Sequence, residues 1–144
     1  MQTDELDEAL IALLQENARA PVAMLARRLG LARTTVQARI ERLETNGIIA
    51  GYTLRVNAAR RAPLRATALV RIEARSQPTV MSRLKSLPNV RKVHTTSGRF
   101  DLIVGLEAES TEELDEALDR IGDAKGVQGS ESLIHLATKL DRSN

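Results

Sequence analysis

The sequence contains no cysteine and no tryptophan, and it has one tyrosine and one phenylalanine. The absence of cysteine excludes disulfides and thiolate metal sites, which is compatible with a reducing cytoplasm. No run of residues approaches the length of about eighteen apolar residues that a membrane span needs. The first ten residues, MQTDELDEAL, are acidic where a signal peptide would be basic. We therefore expect a cytoplasmic protein without a membrane segment.

Groups that carry enzyme chemistry are also scarce. There is no cysteine nucleophile and no glycine-rich phosphate loop, and the two histidines, His94 and His135, lack metal-ligand spacing. The carboxylates between Glu112 and Glu116 crowd one predicted helix start, where they interact favourably with the helix dipole rather than forming an acid–base pair. We expect no enzyme activity, no catalytic residue, no metal and no cofactor.

The charge of the chain is small in total but unevenly distributed. The formal net charge is +2. Residues 1–16 contain five acids and no base, whereas residues 17–62 contain nine arginines and two glutamates. A local excess of arginine is typical of proteins that bind a polyanion such as DNA. A solvated arginine-rich face would give the same pattern, so charge alone leaves both interpretations open.

The apolar spacing at the start of the chain predicts two helices. Leucines at helical intervals indicate a first helix over about residues 4–16, with Thr3 suited to its start. Pro21 fits the first position of a second helix, which Gly30 ends. A short turn containing glycine that leads into a further helix is the layout of a DNA-binding helix-turn-helix.

A third helix, predicted from about Arg33 to Thr45, has two distinct faces. At 100° per residue, Val36, Ile40 and Leu43 form one inward stripe. The opposite face is small and polar, and we expect four of its residues to approach base edges in the major groove: Thr34, Thr35, Gln37 and Ala38. Glutamine can hydrogen-bond adenine there, and threonine or alanine methyl groups can contact the methyl group of thymine.

Three arginines of the third helix are expected to contact mainly the DNA backbone. Contacts of this kind position a protein without sequence preference. The three residues concerned are Arg33, Arg39 and Arg42. Arg33 and Arg39 lie beside the packed stripe, so acids within the chain are alternative partners. Ala32 stands where a capping residue belongs and cannot bond the first amides, at a cost of about 1 kcal/mol. Thr34 or a bound phosphate could replace the cap.

The rest of the sequence predicts one strand, a linker and a second domain. The run IIAGYTLRV, residues 48–56, indicates a strand, and NAARRAP, residues 57–63, indicates a linker. Beyond it, four stretches are strand-like: ATALVRIEA, VRKVHTTS, FDLIVGLEA and SESLIHLATKL. A helix, PTVMSRLKSL, is predicted after the first of them. A second helix, which begins with a capping box of Ser110 and Glu113, is predicted after the third. The order βαββαβ is that of a ferredoxin-like sandwich.

The predicted fold is thus α+β, with a helix-turn-helix (winged-helix-like) domain over residues 1–62 and a ferredoxin-like domain over residues 63–144. A domain of about 60 residues buries only about 60% of the surface that its unfolded chain exposes, so oligomerisation is expected. RNA-recognition motifs share the βαββαβ order but stack bases on several aromatic rings, and only Phe100 lies in this part of the chain. A domain that only senses a metabolite is an alternative, but it leaves the first 62 residues without a role.

Three stretches resemble the Lrp/AsnC, or feast/famine, transcriptional regulators. The first is a continuous run over residues 6–54, LDEALIALLQENARAPVAMLARRLGLARTTVQARIERLETNGIIAGYTL, which is similar to the amino-terminal half of that family. TSGRFDLIVGLEA resembles its glycine turn before an apolar strand, and GVQGSESLIHLATKL resembles its final strand. The resemblance spans residues 3 to about 140.

The resemblance implies a cytoplasmic regulator that binds double-stranded DNA. It also implies dimers formed through the sheets of the second domain, often assembled into octamers, and an amino-acid effector bound between dimers near the glycine turn. Carried over to this sequence, the turn comprises Ser97, Gly98, Arg99, Phe100 and Asp101. Three residues depart from the family pattern: Ala32 where serine is usual, Ser97 where threonine is commoner, and Arg99. Arg99 could bind a carboxylate, fill the pocket or pair with Asp101.

The glycine turn need not bind an effector at all. The turn would also suit an ordinary glycine hairpin with a charged rim, in which Gly98 only permits a positive φ. In that case the chain would be a ligand-independent regulator or an architectural DNA-binding protein.

Overall fold

The computed structural model describes residues 2–57 and 63–143, and these fall into two compact units. The first contains the chain up to Val56 together with the last residues from Arg142, and the second spans Asn57–Asp141. The boundary predicted at residue 62, and most of the predicted linker, lie outside the described residues.

Three helices form the first unit: α1 (Glu5–Glu16), α2 (Val22–Leu29) and α3 (Arg33–Thr45). Their inward faces meet in one core, in which four side chains are fully buried: Leu10, Leu25, Val36 and Leu43. Ile40 is partly buried and packs against the same core. The predicted bounds of α3 and its inward stripe are therefore confirmed.

Two helix starts differ from the predictions. α1 is capped by Asp4, not Thr3, because the Asp4 carboxylate accepts a hydrogen bond from the Asp7 N–H at 2.8 Å. The Asp7 carboxylate in turn accepts one from the Asp4 N–H at 3.2 Å, which completes a capping box. Pro21 is the N-cap of α2, one position before the predicted one, and its extended backbone leads the chain into the helix.

The predicted strand over residues 48–56 is wrong for the described residues. Ile49 packs into the helical core, and its N–H donates to the Leu43 carbonyl at 3.1 Å. The following residues pair with no strand within residues 2–57 and 63–143, and Tyr52, Leu54 and Val56 are exposed. β-branched and aromatic residues favour a strand, but a strand needs a neighbouring strand to bond.

The second unit contains four strands and two helices in the predicted βαββαβ order. They are β1 (Leu64–Ile72), α4 (Gln77–Lys85), β2 (Val90–Thr95), β3 (Leu102–Ala108), α5 (Thr111–Gly122) and β4 (Val127–Ile134). The strands form one antiparallel sheet in the order β2-β3-β1-β4. This arrangement is the predicted ferredoxin-like fold.

The two faces of the sheet differ in character. Alternate residues of β1 and β3, such as Val70 and Val104, are buried in one core with the apolar faces of α4 and α5. The residues between them point the other way, as the period of two in a strand requires. Among the partly buried ones, four in the middle of the two strands define what we call the open face: Thr67, Leu69, Ile103 and Gly105.

The last strand begins earlier and ends earlier than the predicted SESLIHLATKL. It starts at Val127, and its last partnered residue is Ile134, opposite Ala66. Beyond that pair, the His135 N–H still donates to the Arg65 carbonyl at 2.9 Å. Pairing then stops because β1 itself begins at Leu64, so the rest of the predicted strand has no neighbour there.

The predicted capping box at α5 is half formed. The Ser110 side chain accepts from the Glu113 N–H at 3.2 Å, as expected. The Glu113 carboxylate instead accepts from the Glu109 N–H at 2.9 Å and from the Asn89 amide at 2.7 Å. These two hydrogen bonds lower the pKa of Glu113, the bond from Glu109 more than that from Asn89.

α3 begins without a side-chain cap. Ala32 is its N-cap residue, as predicted, and within the described residues no side chain accepts a hydrogen bond from the first turn. Thr34 makes no side-chain hydrogen bond within the described residues, so it does not replace the cap. The first amides of α3 are therefore left to solvent or to an anion.

We predict that Ala32→Ser raises the free energy of unfolding by about 1 kcal/mol, because the serine hydroxyl accepts a bond from the first turn. Urea unfolding followed by circular dichroism measures the change. Ala38→Ser is the matched control, since it makes the same substitution in the exposed interior of α3, where serine slightly disfavours a helix. Equal effects of the two substitutions would show that the missing cap is not the cause.

Candidate nucleic-acid interface and glycine turn

The turn between α2 and α3 positions the third helix. Gly30 adopts φ +66°, a left-handed conformation that favours glycine, and ends α2 as predicted. The next residue, Leu31, donates its N–H to the Ala26 carbonyl at 2.9 Å and packs against the helical core. Ala32 is extended, and α3 follows at once. This spacing is that of a DNA-binding helix-turn-helix.

The outward face of α3 is exposed and its side chains are free. The four residues predicted to contact bases, Thr34, Thr35, Gln37 and Ala38, are all exposed, and Val36 between them is fully buried. In the described part of the chain, none of the polar side chains among the four makes a hydrogen bond. These groups are therefore available to an external partner.

The arginines of α3 divide into one free residue and two paired ones. Arg33 is exposed and has no ion pair with the described residues. The Arg39 Nη1 lies 2.8 Å from Asp4 Oδ1 and 2.9 Å from Asp7 Oδ1. The Arg42 Nη2 lies 2.8 Å from Asp7 Oδ2. We call these four paired residues, Asp4, Asp7, Arg39 and Arg42, the Asp–Arg cluster.

Burial differs across the Asp–Arg cluster. The Asp7 side chain is 1% exposed and that of Arg39 is 19% exposed, while Arg42 and Asp4 are about half exposed at 47% and 55%. The hydrogen bond from Arg39 lowers the pKa of Asp4, with a smaller contribution from the Asp7 N–H. The same pairing with Asp4, followed by Asp7, raises the pKa of Arg39. The pairing therefore favours the charged forms of Asp4 and Arg39.

Reasoning from the sequence missed Asp4 and Asp7 as partners of α3. A usable signal was present, since two acids three residues apart lie on one helix and two arginines three residues apart lie on another. Residues at that spacing share a helix face. The spacing alone does not show which faces of α1 and α3 pack together.

The glycine turn is held by hydrogen bonds around an exposed tip. Gly98 adopts φ +104°. The Thr96 N–H donates to the Asp101 carbonyl at 2.9 Å, and the Thr96 hydroxyl donates to the Phe100 carbonyl at 2.8 Å. The tip residues Ser97, Gly98 and Arg99 are exposed.

Asp101 and Arg99 do not pair with each other. One carboxylate oxygen of Asp101 accepts from the Ile72 N–H at 2.8 Å, and the Asp101 N–H donates to the Val70 carbonyl at 2.8 Å. Asp101 thus fastens the turn to the end of β1. The Arg99 guanidinium lies over the Phe100 ring, 5.0 Å from its centre, in a cation–π arrangement.

Neither histidine belongs to the outward face of α3 or to the glycine turn. His135 Nε2 is 2.8 Å from the Thr67 hydroxyl, and His94 is an exposed residue of β2. No group of three or more metal-ligating side chains occurs within residues 2–57 and 63–143. No helix in the same residues is long and apolar enough to cross a membrane.

Comparison with known proteins matches both units. Residues 4–44 match the AsnC-type helix-turn-helix domain, and residues 65–144 match the Lrp/AsnC ligand binding domain. The HTH-type transcriptional regulator FL11 of Pyrococcus furiosus is 32% identical over 134 residues, which cover 92% of this chain and 89% of FL11. The HTH-type transcriptional regulator LysM of Saccharolobus solfataricus is 28% identical, with 94% of each chain covered.

Solved structures give the same result. E. coli AsnC superposes with a TM-score of 0.88 at 24% identity, covering 100% of this chain and 99% of AsnC, and so supports the fold. A feast or famine regulatory protein from M. tuberculosis, complexed with L-methionine, has a TM-score of 0.82 at 29% identity over 98% of this chain and 97% of that one. The chain belongs to the Lrp/AsnC family and is a DNA-binding transcriptional regulator.

Proposed function

We propose that the outward face of α3 reads duplex DNA in the major groove. The observation that supports this proposal is the exposed, unbonded set Thr34, Thr35, Gln37 and Ala38, on a helix whose opposite stripe is buried. Gln37 would hydrogen-bond adenine, and the methyl groups of threonine and alanine would contact thymine methyl groups. The uncapped N–H groups of the first turn would donate hydrogen bonds to a phosphate, as helix N-termini do.

The arginines of α3 take two roles in this proposal. Arg33 is exposed and unpaired within the described residues, so it contacts a phosphate. Arg42 is half exposed, so it contacts the DNA backbone while it keeps its ion pair with Asp7. Arg39 is mostly buried against Asp4 and Asp7, so its main task is internal.

We further propose a homodimer formed through the open face. Leu69 and Ile103 are partners across β1 and β3, and both are only partly buried in a single chain. Burying these apolar groups against a second sheet would stabilise both copies. A two-fold dimer presents two copies of α3, so its operator would contain paired half-sites about one helical turn apart. Assembly of dimers into an octamer follows the family pattern.

We propose that the glycine turn binds an amino acid. The methionine complex of the M. tuberculosis relative supports a small effector of this class. Arg99 offers a guanidinium for the carboxylate, and Gly98 allows backbone amides to face an anion. One Asp101 oxygen is used by Ile72, which leaves the other for an amino group. We place this regulator in the cytoplasm, without enzyme activity.

The proposed reading of DNA predicts different results for two substitutions. Gln37→Ala should cost about 1–3 kcal/mol on preferred sequences and change the sequence preference. Arg33→Ala should weaken binding to all sequences and reduce the salt slope by about one. Selection from a randomised duplex pool, followed by titrations at several salt concentrations, measures both quantities.

Gln15→Ala is the control, because Gln15 is an exposed glutamine on α1, outside the proposed face. It should change neither preference nor slope. The proposal would be wrong if Gln37→Ala and Arg33→Ala altered specific and non-specific binding in equal proportion.

The proposed effector site predicts thermal stabilisation by at least one amino acid. Ligand at 100 times its Kd adds about 2.7 kcal/mol to the free energy of unfolding. A thermal-shift screen of the amino acids, with light scattering on the same samples, detects binding and the assembled mass together. Arg99→Gln should abolish the shift, while Arg83→Gln, on α4, should retain it. If no amino acid raises the unfolding temperature, the effector proposal is wrong and the chain is a ligand-independent regulator. If light scattering gives the mass of a single chain, the dimer proposal is wrong.

A further inference from the structure

The Asp–Arg cluster joins the capping box of α1 to the DNA-facing helix. Asp4 and Asp7 bond each other's N–H groups at the start of α1. Within the described residues, the same two carboxylates accept all five hydrogen bonds that the Arg39 and Arg42 side chains donate, at 2.8–2.9 Å. Asp7 is the one buried charged side chain within residues 2–57 and 63–143. A change at the first turn of α1 therefore reaches α3 directly.

The cluster also cancels positive charge on α3. Two carboxylates oppose two guanidinium groups, so of the three arginines of α3 only Arg33 keeps an uncompensated charge within the described residues. Sequence-independent binding to DNA comes almost entirely from cations placed at phosphates. The short side chains that read bases are untouched by this cancellation.

We propose that Asp4 and Asp7 are specificity-determining residues, which withhold Arg39 from the DNA backbone and so lower the affinity for non-operator DNA. Asp7, which is buried, fixes the position of Arg39 and Arg42. Asp4, which is half exposed, compensates the charge of Arg39 at the surface. This inference rests on the proposed use of the outward face of α3.

Asp4→Asn tests the proposal with little change to the fold. Asparagine caps helices as well as aspartate does, so α1 keeps its first hydrogen bond. The substitution removes one of the two carboxylates that face Arg39. Asp7 then faces both Arg39 and Arg42, so one positive charge is left for a phosphate. The affinity for a random-sequence duplex should rise about tenfold at about 50 mM salt, with a salt slope steeper by about 0.9, as one added phosphate contact requires. The ratio of operator to random-sequence affinity should fall.

Glu5→Gln is the matched control. Glu5 lies next to Asp4 in the first turn of α1, is exposed, and has no ion pair with the described residues. It changes the net charge by the same amount without touching Arg39. Glu5→Gln should leave the salt slope near that of the wild-type chain. Adding Arg39→Gln to Asp4→Asn should remove the gain in random-sequence affinity, which a purely structural role of Asp4 would not predict.

Equal salt slopes for Asp4→Asn and Glu5→Gln would overturn the inference and leave the proposed function standing. If wild-type protein showed no sequence preference at all, both would fail. Thermal unfolding checks that Asp4→Asn is folded. If it is not, Asp4→Ser, which also caps a helix without a charge, takes its place with the same expected slope and the same contradicting result.

Discussion

The carboxylate of Asp7 is buried between the first turn of α1 and the middle of α3, and the first unit depends on how that charge is satisfied. A buried charge is costly unless it is paired and hydrogen-bonded. Asp7 accepts from two guanidinium groups and from the Asp4 N–H. These bonds tie the middle of α3 to the first turn of α1, beside the apolar core that buries Val36 and Leu43.

The same cluster changes how the arginine excess of residues 17–62 is interpreted. Nine arginines within residues 17–62 indicated a polyanion binder, and membership of a DNA-binding family agrees with that reading. The count nevertheless overstates the charge that α3 offers to DNA, since two of its arginines already face carboxylates. Recognition would then depend more on Gln37 and its neighbours, and less on non-specific attraction.

Local patterns predicted most of the fold, and long-range packing accounts for the differences. The stripe of Val36 and Leu43 and the turn at Gly30 depend on residues close in sequence, so they could be predicted. The strand expected around Tyr52, and the full length expected for β4, depend on neighbouring strands that propensity does not reveal. The partners of Arg39 lie more than thirty residues away and follow from the crossing of two helices. The bond from Ile72 to Asp101 likewise joins β1 to the glycine turn that precedes β3.

A double-mutant cycle on the free energy of unfolding tests the central claim most directly. The variants are Asp7→Asn, Arg42→Gln and the two together, measured by urea unfolding. If the buried carboxylate and the guanidinium hold α1 against α3, the two substitutions should be coupled by about 1–3 kcal/mol. Additive effects, with a coupling below about 0.5 kcal/mol, would contradict the account.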